Sequence, residues 1–199
     1  MNLLKKINRE WTYISFLIPL LNKTNKLDKN PNLTVADLIE QQVDKNPNLI
    51  ALEYEEQKYS YSELDQEANK VANWAIEKGF KCGDVISLLM ENKPEFLFAW
   101  IGLAKIGITT ACLNSNIKGK SLSHCISASQ SASIIIGSEC LENFSSAEDI
   151  LEKKIDAFVY GDEVQGFKSI NSDNHSRPDK KYRKDLINTD SLFYIYTSG

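Results

Sequence analysis

Apolar positions fall into two alternating rhythms along this chain, one of helical period and one of strand period. Thr34 precedes Val35, Leu38, Ile39 and Val43, and steps of three and four predict a capped helix that stops at the Asn46-Pro47-Asn48 turn. Leu49 to Tyr54 and Gln57 to Ser60 read as two short strands across Glu55-Glu56, a hairpin. Ser60-Tyr61-Ser62-Glu63 has the form of a capping box, with the serine hydroxyl on the third helical N–H and the glutamate reaching back. The stripe Leu64, Ala68, Val71, Ala72, Ala75 and Ile76 carries that helix to Gly79, a residue suited to a left-handed stop.

Downstream the pattern tightens. Val85 to Met90 is apolar at nearly every position, as in a strand covered on both faces. Pro94 opens an apolar helix through Phe96, Leu97, Ala99, Trp100, Leu103 and Ala104, closed by Gly107. Ile108 to Leu113 reads as strand, Lys120 to Ser129 as helix, Ser133 to Gly137 as strand, Ala147 to Ile155 as helix and Ala157 to Tyr160 as strand. Residues 161–188 are a polar surface excursion without period, and Asp190 to Tyr196 is a last strand. Strands alternating with helices imply a mostly parallel sheet covered by helices, an α/β fold.

The bulk composition narrows the functions. With 42% hydrophobic and 25% charged residues the chain has the balance of a folded domain. A net charge of −4 supplies no basic field for nucleic acid, which is excluded as a partner. Cys82, Cys112, Cys125 and Cys140 lack metal or disulfide spacing and read as reduced, mostly buried thiols of a cytoplasmic protein. The run Trp11 to Leu21, behind Lys5, Lys6 and Arg9, is about half the ~20 residues a membrane span needs. It fits either an interfacial helix, making peripheral membrane contact through residues 1–21, or a segment packed on the domain.

Candidate chemistry gathers at the last strand, which runs into Thr197-Ser198-Gly199. Small hydroxyl residues and a glycine after a buried strand suit a phosphate-cradling loop, although the bare tetrapeptide from Tyr196 also fits an ordinary turn and is no P-loop signature. His124 lies among Leu122, Cys125 and Ile126 and reads as a structural helix histidine; His175 reads as solvated. Glu139 to Asp149 reads as a solvated face, and Lys118 and Lys120 flank Gly119 at a helix start where an anion could be attracted.

Several stretches together resemble the adenylate-forming superfamily of acyl-CoA synthetases, peptide-synthetase adenylation domains and luciferases. Tyr59 to Leu64 is similar to its T-Y-x-E-L helix start, and residues 79–85 to its G-V-x-x-G-D-x-V turn. Residues 90–96 with 100–107 resemble its strand, turn and helix, and Tyr196-Thr197-Ser198-Gly199 the opening of its phosphate loop. The agreement is collinear over residues 33–199. Asn114-x-Asn116-x-Lys118-Gly119, in place of a proline-containing stretch, resembles the long- and very-long-chain fatty acyl-CoA synthetase and fatty acid transport protein branch.

That resemblance implies an amino-terminal extension (1–32), a partial AMP-binding domain (33–199) cut at the phosphate-loop strand, and a carboxy-terminal domain lying elsewhere. It implies an ATP-dependent fatty acid–CoA ligase using ATP, Mg²⁺ and coenzyme A, which forms an acyl-adenylate and then a thioester. Only Tyr196, Thr197, Ser198 and Gly199 carry over as nucleotide-binding residues. The catalytic groups are expected downstream, so this chain alone is expected to be inactive. Two other readings stand: a ligase for another carboxylic acid, or a non-catalytic membrane-associating or nucleotide-binding module. A Thr-Gly-x-x-Lys continuation discriminates ligase from simple nucleotide binder.

Overall fold

The computed structural model describes residues 30–161 and 164–196. The amino-terminal apolar run and Thr197, Ser198 and Gly199 lie outside those residues. Helix α1 (Val35–Lys45) starts at a capping box in which Thr34 accepts from the Asp37 N–H and the Asp37 carboxylate answers the Thr34 N–H. Strands β1 (Ile50–Tyr54) and β2 (Gln57–Ser60) form an antiparallel hairpin, with Glu55 turning at φ +52°. Helix α2 (Tyr61–Glu77) begins at the expected Ser60/Glu63 capping box.

The main sheet comprises β3 (Val85–Leu89), β4 (Thr109–Leu113), β5 (Ser133–Gly137), β6 (Asp156–Tyr160), β7 (Lys168–Ser169) and β8 (Phe193–Ile195). Their order across the sheet is β7-β6-β5-β3-β4-β8, and every pairing is parallel. Helices α3 (Pro94–Lys105), α4 (Gly119–Ser129) and α5 (Leu141–Glu148) supply the crossovers.

Strand alternation sorts the core into two faces. Ile86 and Leu88 of β3 turn toward α2 and α3, where they meet Trp74, Ala99, Leu103 and Phe158. On the opposite face Leu89, Ile134 and Ile136 meet Leu122 and Ile126 of α4 and Phe144 of α5. A third cluster, Leu64, Ala68, Phe98 and Ile101, seals α2 to α3 and takes Ile39 and Tyr59 against it. At about 25 cal/mol per Å² of apolar surface, these buried faces are what holds the helices to the sheet.

Two expectations need correction. The helix predicted at Ala147–Ile155 lies instead at Leu141–Glu148, because Leu141, Phe144 and Ala147 form the stripe that reaches the sheet. Residues 161–188 are not a loose surface excursion: they contribute β7 and a 3₁₀ turn at Lys180–Arg183, and Arg183 is buried. Arg183 donates to the Lys105 carbonyl at 2.8 Å, to Asp37 at 2.9 Å and to Glu40 at 2.6 Å. Lys105 Nζ in turn donates to Asp65 at 2.5 Å and Asn69 at 2.6 Å. Asn69 and Asn73 donate to the carbonyls of His175, Asn174 and Ser176, so the segment is laced across α2. This network pairs charges that burial alone would expel, with Glu40 Oε1 left without a hydrogen bond at 4.0 Å from Lys105 Nζ.

Candidate functional site

The carboxyl ends of the parallel strands form one rim, where open α/β sheets place ligands. Strand β8 reaches that rim beside β4, with Thr110 opposite Phe193 and Cys112 opposite Ile195. Tyr196 follows immediately. Its ring packs against the α4/α5 face of the core, and burial pushes its phenol above the ordinary range against a hydrogen bond with the Ser129 side chain. Ser129 belongs to a hydroxyl triangle with Ser87 at 3.1 Å and Ser131 at 2.9 Å, and Ser87 stands 2.8 Å from Ser131. Tyr196 is therefore half-buried against the core. Of the four residues predicted for nucleotide binding it is the one described; Thr197, Ser198 and Gly199 fall outside.

Next along the rim, the turn after β4 is fixed by Asn114, whose Oδ1 accepts from the Asn116 N–H at 2.9 Å. Asn143 of α5 donates to the Ser115 carbonyl at 2.5 Å, and the Gly119 N–H donates to Ser146 at 2.9 Å. Lys118, a candidate anion contact, pairs with Glu142 at 3.0 Å on an exposed surface. That pairing is worth little.

Between β3 and β5 the order of strands reverses, since the chain goes from β3 out to β4 and then returns across β3 to β5. The crevice there holds an ion pair. Glu139 Oε2 accepts from Lys93 Nζ at 2.5 Å, and Oε1 accepts from the Glu91 N–H at 3.0 Å. Burial alone would raise the Glu139 carboxyl, but Lys93 and the Glu91 N–H outweigh it and hold the carboxyl below its ordinary range. Glu139 stays solvent-accessible as expected but is tied into this ion pair, and Phe144 within the same stretch is fully buried rather than solvated. Sequence reasoning missed Lys93 and Glu139. The available signal was Gly137, a glycine closing an otherwise branched strand where a backbone must be approached closely.

The other candidates stay apart from the rim chemistry. His124 is exposed on α4, and His175 is exposed while its carbonyl serves Asn69. Cys140 is buried, Cys112 and Cys125 are half-buried and Cys82 is exposed, so the thiols are less uniformly buried than expected; all four are free. Among the described residues no group of three His, Cys, Asp or Glu side chains could hold a metal. Among the same residues no helix is long and apolar enough to cross a membrane.

The profile of the AMP-binding enzyme family matches residues 39–199. The chain belongs to that family. Long-chain fatty acid transport protein 6 of Mus musculus is 34% identical over 154 residues, 73% of this chain and 25% of its own length. The Homo sapiens protein of the same name is 29% identical over 198 residues, 96% of this chain and 32% of its own. The chain thus spans about a quarter to a third of the length of these relatives. In fold it resembles the anthranilate CoA ligase AuaEII, solved with anthranoyl-AMP, at a TM-score of 0.64 and 19% identity. That likeness covers 80% of this chain and 29% of the ligase. The adenylate-forming fold expected from the motifs is the fold found: a parallel sheet flanked by helices.

Proposed function

We propose that this chain is the amino-terminal part of an ATP-dependent long- or very-long-chain fatty acid–CoA ligase. The carrying observation is the 34% identity to a long-chain fatty acid transport protein, joined to the Asn114-x-Asn116-x-Lys118-Gly119 stretch at the end of β4. Residues 1–32 form an extension and 33–199 part of the large AMP-binding domain, which the remaining length of a relative-sized protein completes.

In this reading Thr197, Ser198 and Gly199 receive the nucleotide phosphates through hydroxyl and backbone N–H donors, and the half-buried Tyr196 holds the strand end against the core. The described rim supports that role in one respect: Tyr196 packs against the α4/α5 face of the core at the carboxyl end of β8. ATP supplies the adenylyl group that activates the carboxylate, with pyrophosphate leaving, and the coenzyme A thiol then takes the acyl group, with AMP leaving. Among the described residues no cluster of three or more His, Cys, Asp or Glu side chains would ligate the Mg²⁺ that the resemblance implies.

ATP–pyrophosphate exchange tests the reading. The protein continued to the length of its relatives is expected to exchange in the presence of palmitate, and the 199-residue chain alone is expected not to. Exchange that responds only to short or aromatic acids would move the substrate to another carboxylic acid. Exchange by the chain alone would place catalytic groups within it. Peripheral membrane contact by residues 1–21 is tested by flotation with anionic liposomes, with and without residues 1–30, where binding must depend on that segment.

A further inference from the structure

The ion pair between β3 and β5 occupies the position where an open parallel sheet takes a ligand. Two donors from the turn between β3 and α3 converge there on one carboxylate: the Lys93 ammonium at 2.5 Å and the Glu91 N–H at 3.0 Å. Such a charged donor with a backbone amide is the donor set for an oxyanion. Gly137 forms the floor, and a Cβ there would collide with both oxygens of the Glu139 carboxylate. The carboxylate therefore lies flat on bare backbone. It is carried by the 3₁₀ turn Ser138–Cys140, and the Lys93 and Glu139 side chains keep 22% and 24% exposure, so the pair can be reached from solvent.

We infer that the β3/β5 crevice is a binding site for a phosphate or carboxylate group, and that Glu139 is an internal occupant displaced by it. Lys93 and the Glu91 N–H are the recognition groups. A rotation about the Glu139 side chain vacates them without moving a strand. The inference does not rest on the ligase reading.

Pyrophosphate, inorganic phosphate and butyrate titrated into the 199-residue chain test it, by calorimetry and by the amide shifts of Glu91, Lys93 and Gly137. Glu139→Gln removes the competing charge and is expected to tighten binding of at least one of these anions by ~10-fold or more over the parent. Adding Lys93→Met is expected to abolish the gain. A preference for pyrophosphate or phosphate identifies a phosphoryl ligand; a preference for butyrate identifies a carboxylate. The inference is overturned if Glu139→Gln binds none of the three more tightly, or if the gain survives Lys93→Met. Should Glu139→Gln not fold cooperatively, Glu139→Asp, which draws the carboxylate back by one methylene, is judged by the same criterion.

Discussion

Arg183 donates to Glu40 at 2.6 Å across 143 residues of sequence, with both side chains 3% exposed. This contact fastens the 3₁₀ turn at Lys180–Arg183 to α1. Removing the guanidinium leaves Asp37 and Glu40 without their buried donor, a change that ordinarily costs about 3–5 kcal/mol. Arg183→Met is therefore expected to lower the urea midpoint sharply. An unchanged midpoint would mean that Lys180, 2.8 Å from Asp37, compensates fully.

The same cluster gives an acid limit. Burial alone would raise the Asp37 carboxyl, but hydrogen bonds from Lys180, Thr34 and Arg183 hold it far below its ordinary value of 3.8. A depressed carboxylate contributes stability in full above its unfolded value, and that contribution drains as pH falls below it. Unfolding free energy measured by urea is expected to be flat in this respect from pH 7 to about 5, then to fall below about pH 4. Asp37→Asn should be less stable at pH 7 and show a shallower acid slope. An equal slope in both proteins rules Asp37 out as the source.

Helix α3 passes α2 at Gly102. A Cβ there would press into the Ala68 carbonyl and stand 2.8 Å from Val71 Cβ. Glycine inside a helix costs up to about 1 kcal/mol relative to alanine, so an isolated helix would gain from Gly102→Ala. Here the close approach decides the sign. Overpacking is expected to destabilise by about 1–3 kcal/mol, read as a drop in melting temperature. A gain in stability would show that the two helices can separate freely.

Why some of this was legible and some was not follows from the range of the interactions. The β3 pattern and the Ser60/Glu63 box act over a few residues, so periodicity and capping chemistry locate β3 and α2. Helix α5 differs from the expected position because its stripe of Leu141, Phe144 and Ala147 is set among serines and glutamates, while Leu151 and Ile155 further on are apolar but pack on the core from the irregular connection to β6. Arg183, Lys105 and Glu40 look like surface charges until the fold brings them together. Choice of ionic partner leaves no periodic trace. Lys93 and Glu139 were hidden for the same reason, being joined only by the return of β5 beside β3. The nucleotide reading of Tyr196 to Gly199 came from resemblance across many stretches, since four residues carry no period at all.

The last strand sets a solubility limit. Among the described residues β8 pairs only with β4, and Phe193, Tyr194 and Ile195 are 40%, 39% and 67% exposed. An edge left open by the described residues, with apolar side chains on both faces, is a template for pairing with another copy. Phe193 is partly held by an edge-to-face contact with Trp100 at 5.9 Å, and Tyr194 stands opposite Ala111, so Ile195 is the side chain whose replacement disturbs the least packing. Ile195→Lys places a charge on that edge and is expected to suppress concentration-dependent association of the 199-residue chain. Sedimentation and light scattering should show the variant monomeric at concentrations where the parent associates, with a melting temperature within about 2 °C, as surface substitutions cost within about 0.5 kcal/mol. Association that persists unchanged in Ile195→Lys would place the contact elsewhere on the molecule.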